Sequence, residues 1–355
     1  MASPPLNDRE ERILEAVIRT YVETAEPAGS RTVAKRHGLG VSPATIRNTM
    51  SDLEDKGFLF HPHTSAGRIP TDLAYRYYVN TLMRPVRLTA AEQRRLRREL
   101  AEATDGQGPL ERLVHRAAQA LGLITGELGV AMAPRLDEVR LEKVDLLQVG
   151  SERLLLVFTL QSGSIRTVYV DLAMQVPQAT LGAVTRVLNE RLAGLSLLEI
   201  KQSLPDRLRD SSGDERTTEL LNIFMQSAEE VLSGGEAGED LRLGRASVLA
   251  NQPEFSNETQ LRSLIELTEQ RDLLSQLLSG REHRGVPQIT IGGEHRHPRL
   301  APFTLVTSEY RFGNLSGVLG VIGPTRMPYE KVAAIVEYTS LLMTELAEPA
   351  RPAQE

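Results

Sequence analysis

The sequence predicts an α+β fold, in which an antiparallel sheet is interrupted by a mostly helical insertion. Three observations lead to this fold class. Apolar residues recur at helical spacing through the first 25 residues and again up to residue 127. Strand patterns joined by short polar turns follow over 128–172. After a long, mostly helical stretch, strand patterns return between residues 288 and 323, and a last helix is predicted over 328–347.

The composition is that of a globular chain without cysteine chemistry. The 355 residues allow two or three domains. Hydrophobic residues make up 41% and charged residues 25%, with a formal net charge of -6, which fits a soluble globular fold. Cysteine is absent, so disulfides, thiolate metal ligands and cysteine nucleophiles are excluded. With no tryptophan and 4% aromatic residues, a base-stacking platform for single-stranded nucleic acid is not expected.

No stretch of the sequence has the pattern of a targeting or membrane segment. The start, MASPPLNDREER, is acidic and has no apolar core, so a signal peptide is not expected. The longest apolar runs, such as LLLVF at 154–158, fall far short of the ~20 residues that a membrane helix needs. We therefore expect a cytoplasmic protein without membrane contacts.

The first two predicted helices carry clear start signals. Asn7 is the expected N-cap of a helix over 8–25, and Glu10 is its capping-box partner three residues on. A second helix is predicted from Ser30, taken as its N-cap, to His37.

A third helix and a hairpin complete the N-terminal pattern. The helix is predicted to begin at Ser42, with Pro43 at its first position, and to stop at Gly57. A short strand, a return strand and a further helix follow at 58–61, 68–71 and 72–83. Helix, helix, helix, hairpin and helix is the order of a winged helix-turn-helix domain, predicted here over residues 1–85.

The third helix has an outward face suited to a DNA major groove. Ile46, Met50 and Leu53 fall on one side, where they would pack on the first two helices. The outward side carries small, polar and basic residues, namely Ser42, Ala44, Thr45, Arg47, Asn48 and Ser51. Arginine pairs with guanine, asparagine with adenine, and small methyl groups contact the thymine methyl. Taken alone, the same face is equally consistent with one more solvated helix.

The loop HTSAGRIP is the expected wing of this domain. Thr64, Ser65 and Gly67 would allow the backbone to approach phosphates closely, and Arg68 would enter a minor groove or pair with a phosphate. The alternative is an ordinary turn with Arg68 as a surface charge. His61 and His63 lack further ligands nearby, so surface or packing roles are favoured over a metal site.

The rest of the sequence shows no catalytic or cofactor motif. GVLGVIGPTRM at 317–327 is glycine-rich but has no Gly-Lys-Ser/Thr of a phosphate loop. We interpret Glu294, His295 and His297 as loop residues rather than metal ligands. The arginines of EQRRLRRELAE at 92–102 are read as a solvated helix face rather than a second DNA contact. No enzyme activity, metal or cofactor is therefore expected.

Two long runs also resemble a known family. EPAGSRTVAKRHGLGVSPATIRNTMSDLEDKG, followed by HTSAGRIPT and YRYYV, is similar to the HrcA heat-inducible transcription repressors, and so is YRFGNLSGVLGVIGPTRMPYEKVAAIVEYT near the C-terminus. The resemblance implies a winged helix, a GAF-like domain and an inserted dimerisation domain. It also implies repression of heat-shock chaperone operons at an inverted-repeat operator called CIRCE, tuned by the GroEL chaperonin.

The resemblance sets the expected domains and DNA contacts. It places the GAF-like domain at 86–175 and 286–348, the dimerisation domain at 176–285 and a disordered tail at 349–355. The recognition helix would be Ser42 to Lys56 and the wing Thr64 to Ile69, with Thr49 where the family usually has Asp. The expected DNA-binding residues are Ser30, Arg31, Ser42, Pro43, Ala44, Thr45, Arg47, Asn48, Ser51, His63, Thr64, Ser65, Gly67 and Arg68.

The predicted dimer contact rests on apolar residues of the inserted domain. Its helices carry more apolar surface than one small lobe needs, and the expected contact residues are Leu220, Phe224, Leu264, Leu267, Leu274 and Leu278. In the alternative, these residues only build the lobe's own core. For function, the alternative to a DNA-binding homodimer is a ligand- or chaperone-sensing protein whose winged helix binds protein.

Overall fold

The structure is a computed structural model, and it falls into two compact units. Unit 1 comprises 1–132, 241–310 and 318–346, and unit 2 comprises 133–240, 311–317 and 347–355. The residues that the structure describes are 4–63, 66–101, 109–134, 139–150, 153–161, 165–172, 176–209, 220–225, 240–279, 286–312 and 315–347. Helices and sheets are both present, as the α+β class requires. Within these ranges no helix is long and apolar enough to span a membrane.

The helices and strands are numbered in chain order. The main helices are α1 Asp8–Thr24, α2 Ser30–His37, α3 Pro43–Asp55, α4 Asp72–Tyr77, α5 Ala90–Ala101, α6 Pro109–Thr125, α7 Gln178–Leu192, α8 Leu197–Arg209, α9 Ser247–Ala250, α10 Glu258–Glu269, α11 Arg271–Ser279 and α12 Tyr329–Ala347. The strands are β1 Leu59–Phe60, β2 Ile69–Pro70, β3 Leu128–Met132, β4 Leu141–Gln148, β5 Arg153–Leu160, β6 Ile165–Asp171, β7 Leu241–Leu243, β8 Gln288–Ile291, β9 Phe303–Phe312 and β10 Leu315–Pro324.

The first part of unit 1, residues 7–82, is called the N-terminal module here. It has the predicted order of three helices, the antiparallel hairpin β1–β2 and a fourth helix, α4, which continues as a π-turn over Tyr78–Leu82. The predicted capping box at Asn7 is confirmed, since its side chain accepts from the amide of Glu10 while the Glu10 carboxylate accepts from the Asn7 amide. Ser42 caps α3 with Pro43 in the first turn, as predicted.

The second part of unit 1 is a five-stranded sheet with helices on both faces. The strand order is β7-β3-β10-β9-β8. Leu128 and Val130 of β3 face a core that includes residues of α10 and α11. Gly129, between them, points the other way and lies so close to α6 that a Cβ would come within 1.8 Å of the Ala118 carbonyl oxygen. On that same side α12 meets β9, where the Ser308 and Ser340 hydroxyls are 3.0 Å apart.

Unit 2 contains the predicted antiparallel meander, in the order β4-β5-β6. The helix α7 is fixed to β4 by Asn189, whose side chain accepts from the Val144 amide and donates to the Val144 carbonyl. Because of this packing, the meander groups with α7 and α8, whereas the predicted domain boundaries include it in the segment 86–175. Those domain boundaries stay a prediction.

Two elements differ from the predicted ones. The start of the long stretch predicted as mostly helical forms two separate helices, α7 and α8, with Gly194 between them at a φ of 81°. The stretch 203–285 includes the short strand β7, whose three residues pair with β3. That pairing joins segments more than 100 residues apart, so no local sequence pattern predicts the strand. The predicted tail at 349–355 lies outside the described residues.

Candidate nucleic-acid interface

The buried side of α3 determines which residues face out. Ile46, Met50 and Leu53 are almost fully buried, and α3 packs against both α1 and α2. The opposite face leaves the predicted contact residues accessible: Ser42, Pro43, Ala44, Arg47, Asn48 and Ser51 are exposed, and Thr45 is half-buried. The face predicted to meet DNA is therefore solvent-accessible on a helix whose other side is fixed in a core.

Hydroxyl groups of α3 and of its N-cap make local hydrogen bonds. The Ser42 Oγ accepts from the Thr45 amide at 3.1 Å, so it stabilises the helix N-terminus. Thr49, at the position where the family usually has Asp, is buried and donates its hydroxyl to the Thr45 carbonyl at 3.2 Å. The Thr49 hydroxyl thus finds a partner on its own helix.

The helix α2 presents basic residues beside α3. Arg31 and Lys35 are exposed, whereas Arg36 donates to the Glu23 carboxylate at 2.8 Å. Ser30 was predicted as the N-cap, but the cap is Gly29, and Ser30 is a buried first residue of the helix. The extended backbone at Gly29 takes the cap position without any side-chain bond. Lys35 is an exposed basic residue that the predicted contact set omitted.

The loop end of the hairpin is joined to the segment after α1. Ala28 and Arg68 form an antiparallel bridge, with N–O distances of 2.8 and 3.0 Å. At Gly67 a Cβ would lie 2.4 Å from the Ala28 carbonyl carbon, so no larger residue fits without moving the backbone. His63 is exposed. Thr64 and Ser65 lie outside the described residues.

The side chain of Arg68 is neither a free surface charge nor extended into solvent. Its side chain is 16% exposed, and a guanidinium nitrogen lies 2.7 Å from the Glu54 carboxylate at the end of α3. Sequence reasoning missed Glu54, because its spacing from Arg68 follows no helix or strand period. Only the fold of the hairpin brings the two together.

The N-terminal module is attached to the rest of unit 1 by polar contacts from α4. Arg76 donates to the Ile289 carbonyl at 2.6 Å and also pairs with Glu294. The Gly293 amide donates to Asp72 at 2.8 Å.

The residues considered as possible metal ligands have structural partners. Glu294 pairs with Arg76. His295 is also engaged, since its ring lies 3.1 Å from the Phe303 carbonyl oxygen. Among the described residues no group of three or more metal-ligand side chains comes together.

A second attachment is built around Arg326, in the turn after β10. Its guanidinium donates to the Val22 carbonyl of α1 at 2.7 Å and pairs with Glu254. Glu127 lies nearby, 2% exposed, and accepts from Gln252 at 3.0 Å. Burial raises the pKa of Glu127 to about 8, and the Glu254 carboxylate acts in the same direction. The carboxyl group is therefore mostly protonated at neutral pH.

The six residues predicted for the dimer contact lie in the chain's own cores. Leu220 and Phe224 are buried in unit 2, where Phe224 stacks on Phe158 with centroids 5.9 Å apart. Leu264, Leu267, Leu274 and Leu278 are buried under the five-stranded sheet of unit 1. With 1% to 6% exposure, these side chains have almost no surface left for a second copy. This is the arrangement expected from the alternative, so Leu274→Asp and Leu278→Asp would disrupt the core of unit 1 itself.

Comparisons with known proteins define the class of this chain. A model described as the HrcA protein C-terminal domain matches residues 111–333. A heat-inducible transcription repressor HrcA of Chlorobium phaeobacteroides strain BS1 is 38% identical over 341 residues, with 94% of this chain and 96% of the relative covered. The namesake from Geobacter sulfurreducens is 35% identical, with 97% and 98% covered. These relatives are negative regulators of transcription. The chain belongs to the HrcA family.

A solved structure has a similar fold. The crystal structure of a hypothetical protein at 2.2 Å resolution matches with a TM-score of 0.62 and 23% identity, covering 97% of this chain and 99% of that one. The likeness extends over nearly the whole length of both chains, so the fold itself has a solved counterpart.

Proposed function

We propose that this chain is a dimeric, sequence-specific DNA-binding repressor of heat-shock chaperone operons, acting at an inverted-repeat CIRCE operator. The observation that carries the proposal is the exposed face of α3, whose back is fixed by buried Ile46, Met50 and Leu53. The order of elements in the N-terminal module supports a winged helix-turn-helix, in which α3 is the recognition helix. Family membership supports the regulatory role.

In this proposal, different residues of the module have different tasks. Arg47 and Asn48 read base edges in the major groove, and Ala44 with the Thr45 methyl contacts thymine methyl groups. Arg31 and Lys35 pair with phosphates, which positions the module without reading sequence. The N-terminus of α3 adds a favourable site for a phosphate.

The sheet domain is proposed to be GAF-like. Supporting features are its five antiparallel strands and the helices that cover both faces. Its role in this proposal is to hold the N-terminal module through Arg76 and Arg326, so that the two copies in a dimer present their recognition helices at a fixed spacing. Half-site spacing in such repressors follows from that geometry.

Dimerisation is proposed through the outer face of the meander, which is called the meander face here. Its apolar members are Leu147, Val149, Leu155, Val157, Ile165 and Tyr169, and four of them are more than half exposed. The ladder places Leu147, Leu155 and Tyr169 in one row across the three strands. Such a contiguous apolar surface is typical of a protein–protein contact.

The charges of the meander face suit a second copy of the same surface. Lys143 pairs with Asp145 and Arg153 with Asp171, each at 2.8 Å, so the face carries balanced charge. An isologous contact, in which the same patch meets itself, needs a surface without strong charge of one sign. Two copies can therefore approach face to face, and an inverted repeat in the operator would match their two-fold axis.

The regulatory part of the proposal is tuning by a GroEL-type chaperonin. If the chaperonin maintains the active form, purified protein alone binds its operator weakly and loses activity with time, and added chaperonin raises the active fraction. Large multidomain chains with slowly formed long-range contacts suit such dependence. Full and durable operator binding by the isolated protein would contradict this part.

The test of the whole proposal is an operator titration under competition. The chain is titrated onto DNA from upstream of the organism's own chaperonin operon, with a large excess of random DNA. Binding that survives the excess supports sequence-specific recognition. Complete loss of binding with GroEL-type chaperonin present would favour the alternative, in which the module binds a protein.

A further inference from the structure

We infer that Arg68 is a positioning residue, which fixes the hairpin against the recognition helix through Glu54 instead of contacting DNA itself. The inference rests on the proposed function and assigns a role within the same interface. A basic residue beside a wing is expected to reach phosphate or a minor groove. Here the geometry points to a different task.

The first argument is the burial and pairing of the guanidinium. A nitrogen of Arg68 lies 2.7 Å from the Glu54 carboxylate, and the Arg68 side chain is 16% exposed against 31% for Glu54. The Nε atom is fully buried without a hydrogen-bond partner. To reach DNA, the guanidinium would have to leave this carboxylate, which would then remain partly buried and unpaired. Breaking such a pair costs more than an exposed contact returns.

The second argument is the position of Arg68 in the chain. Its backbone bridges to Ala28, in the segment after α1, and its side chain reaches α3. At the other end of the hairpin, the Thr71 hydroxyl donates to the Gly57 carbonyl at 2.8 Å. One residue thus joins three segments at the loop end of a two-residue ladder, β1–β2, that is too short to be rigid alone.

The two roles predict opposite effects for a change at Glu54. If Arg68 contacts DNA, Glu54 competes for it and repels phosphate, so Glu54→Gln strengthens operator binding. If Arg68 positions the hairpin, Glu54→Gln loosens it and weakens binding, although a negative charge has been removed from a DNA-facing module. The sign of one measurement therefore separates the roles.

The experiment uses the full-length chain with Glu54→Gln, Arg68→Gln, Arg68→Lys and the swapped pair Glu54→Arg with Arg68→Glu. Operator affinity is measured by fluorescence anisotropy at several salt concentrations, with unfolding in urea to verify each fold. We expect Glu54→Gln and Arg68→Gln to weaken binding about 5- to 30-fold with an unchanged salt slope, because no phosphate contact is lost. Arg68→Lys and the swapped pair should recover most of the affinity, since each retains an ion pair.

Hydrogen exchange of residues 58–71 without DNA gives an independent readout. Glu54→Gln should speed exchange in this segment while leaving the amides of α12 unchanged. Tighter operator binding by Glu54→Gln, a salt slope flattened by about one unit in Arg68→Gln, or unchanged exchange would each overturn the inference. Absence of operator binding by the unsubstituted chain with GroEL-type chaperonin present would instead contradict the proposed function, while the exchange measurement would still decide the role of the pair.

Discussion

Arg47 and Asn48 carry the specific part of the proposed recognition, because they are the exposed side chains of α3 that can make paired hydrogen bonds to base edges. Neither forms an ion pair or capping bond among the described contacts of the module, in contrast to Ser42 and Arg68. Their side chains are thus available to a DNA ligand without breaking an interaction of the folded chain.

Substituting Arg47 by alanine should weaken operator binding by ~1–3 kcal/mol and relax the preference at one position in each half-site. The physical reason is the loss of the proposed bidentate contact between Arg47 and guanine. Anisotropy titrations with operators changed one base pair at a time measure both effects. Arg262→Ala, an exposed arginine on α10, is the matched control and should leave binding unchanged. An equal loss on every operator variant would make Arg47 a phosphate contact.

Glu127 is expected to give the chain a measurable dependence of stability on pH. Its pKa is raised from 4.5 to about 8 by burial, with Glu254, Gln252 and Arg326 as its polar neighbours. The folded state therefore holds a proton that the unfolded state releases between these two values. The stability that this group contributes is complete below pH 4.5 and is lost as the pH rises towards 8.

Replacing Glu127 by glutamine removes this titration while it retains an oxygen that accepts from Gln252. Urea unfolding of Glu127→Gln and of the unsubstituted chain should nearly coincide at low pH. At pH 8 the variant should be more stable, by at most on the order of 4 kcal/mol. Glu266→Gln, at an exposed position, is the control. A constant difference between the two chains at all pH values would disprove the assignment to Glu127.

At the scale of elements, α3 depends on its first turn. Ser42 caps the helix, so Ser42→Ala should lower the free energy of unfolding by about 1 kcal/mol. Ser42→Asp is a more specific test, because aspartate caps equally well and its negative charge interacts favourably with the helix dipole. We expect Ser42→Asp to keep the stability and yet weaken operator binding, since its charge would face phosphate in the proposed complex. Urea unfolding and anisotropy on both variants separate folding from recognition. Equal operator binding by Ser42→Asp and the unsubstituted chain would remove this turn from the interface.

Elements with local signals could be predicted, and elements made by distant contacts could not. The capping box at Asn7, the cap at Ser42 and the meander follow from residues close in sequence, and the structure has them. The strand β7 exists because β3 offers a free edge far away in sequence. The Arg68–Glu54 pair likewise forms only because the hairpin folds back on α3. From the sequence pattern alone, Arg68 was therefore predicted to be exposed.

The predicted dimer residues illustrate the same limit at the scale of the whole molecule. A run of leucines at helical spacing shows that a face will be buried, but it does not say whether the cover comes from the same chain. Leu274 and Leu278 are covered by the sheet of unit 1. Alternating residues of the meander, such as Ile165 and Tyr169, remain exposed.

The double substitution Ile165→Glu with Tyr169→Glu should therefore dissociate the proposed dimer. Both side chains are 63% exposed, so the fold of unit 2 should tolerate the change. We expect a monomer in light scattering and a loss of tight binding to the full inverted repeat, with weak binding to single half-sites retained. Ile265→Glu, at a half-exposed position of α10, is the control and should remain dimeric. A dimer in the double variant would move the contact away from the meander face.

The order in which the chain passes between its two units has a consequence for synthesis on the ribosome. The strand β3 lies between β7 and β10 in its sheet, yet β10 begins about 180 residues after β3 ends. At ~5–20 residues per second, the apolar edge of β3 waits on the order of 10–40 s for its second neighbour. During this interval the nascent chain exposes a strand that can pair wrongly. The yield of folded chain would then fall whenever free chaperone is scarce. Chaperone supply would in that way act during translation, in addition to the proposed tuning of the finished protein.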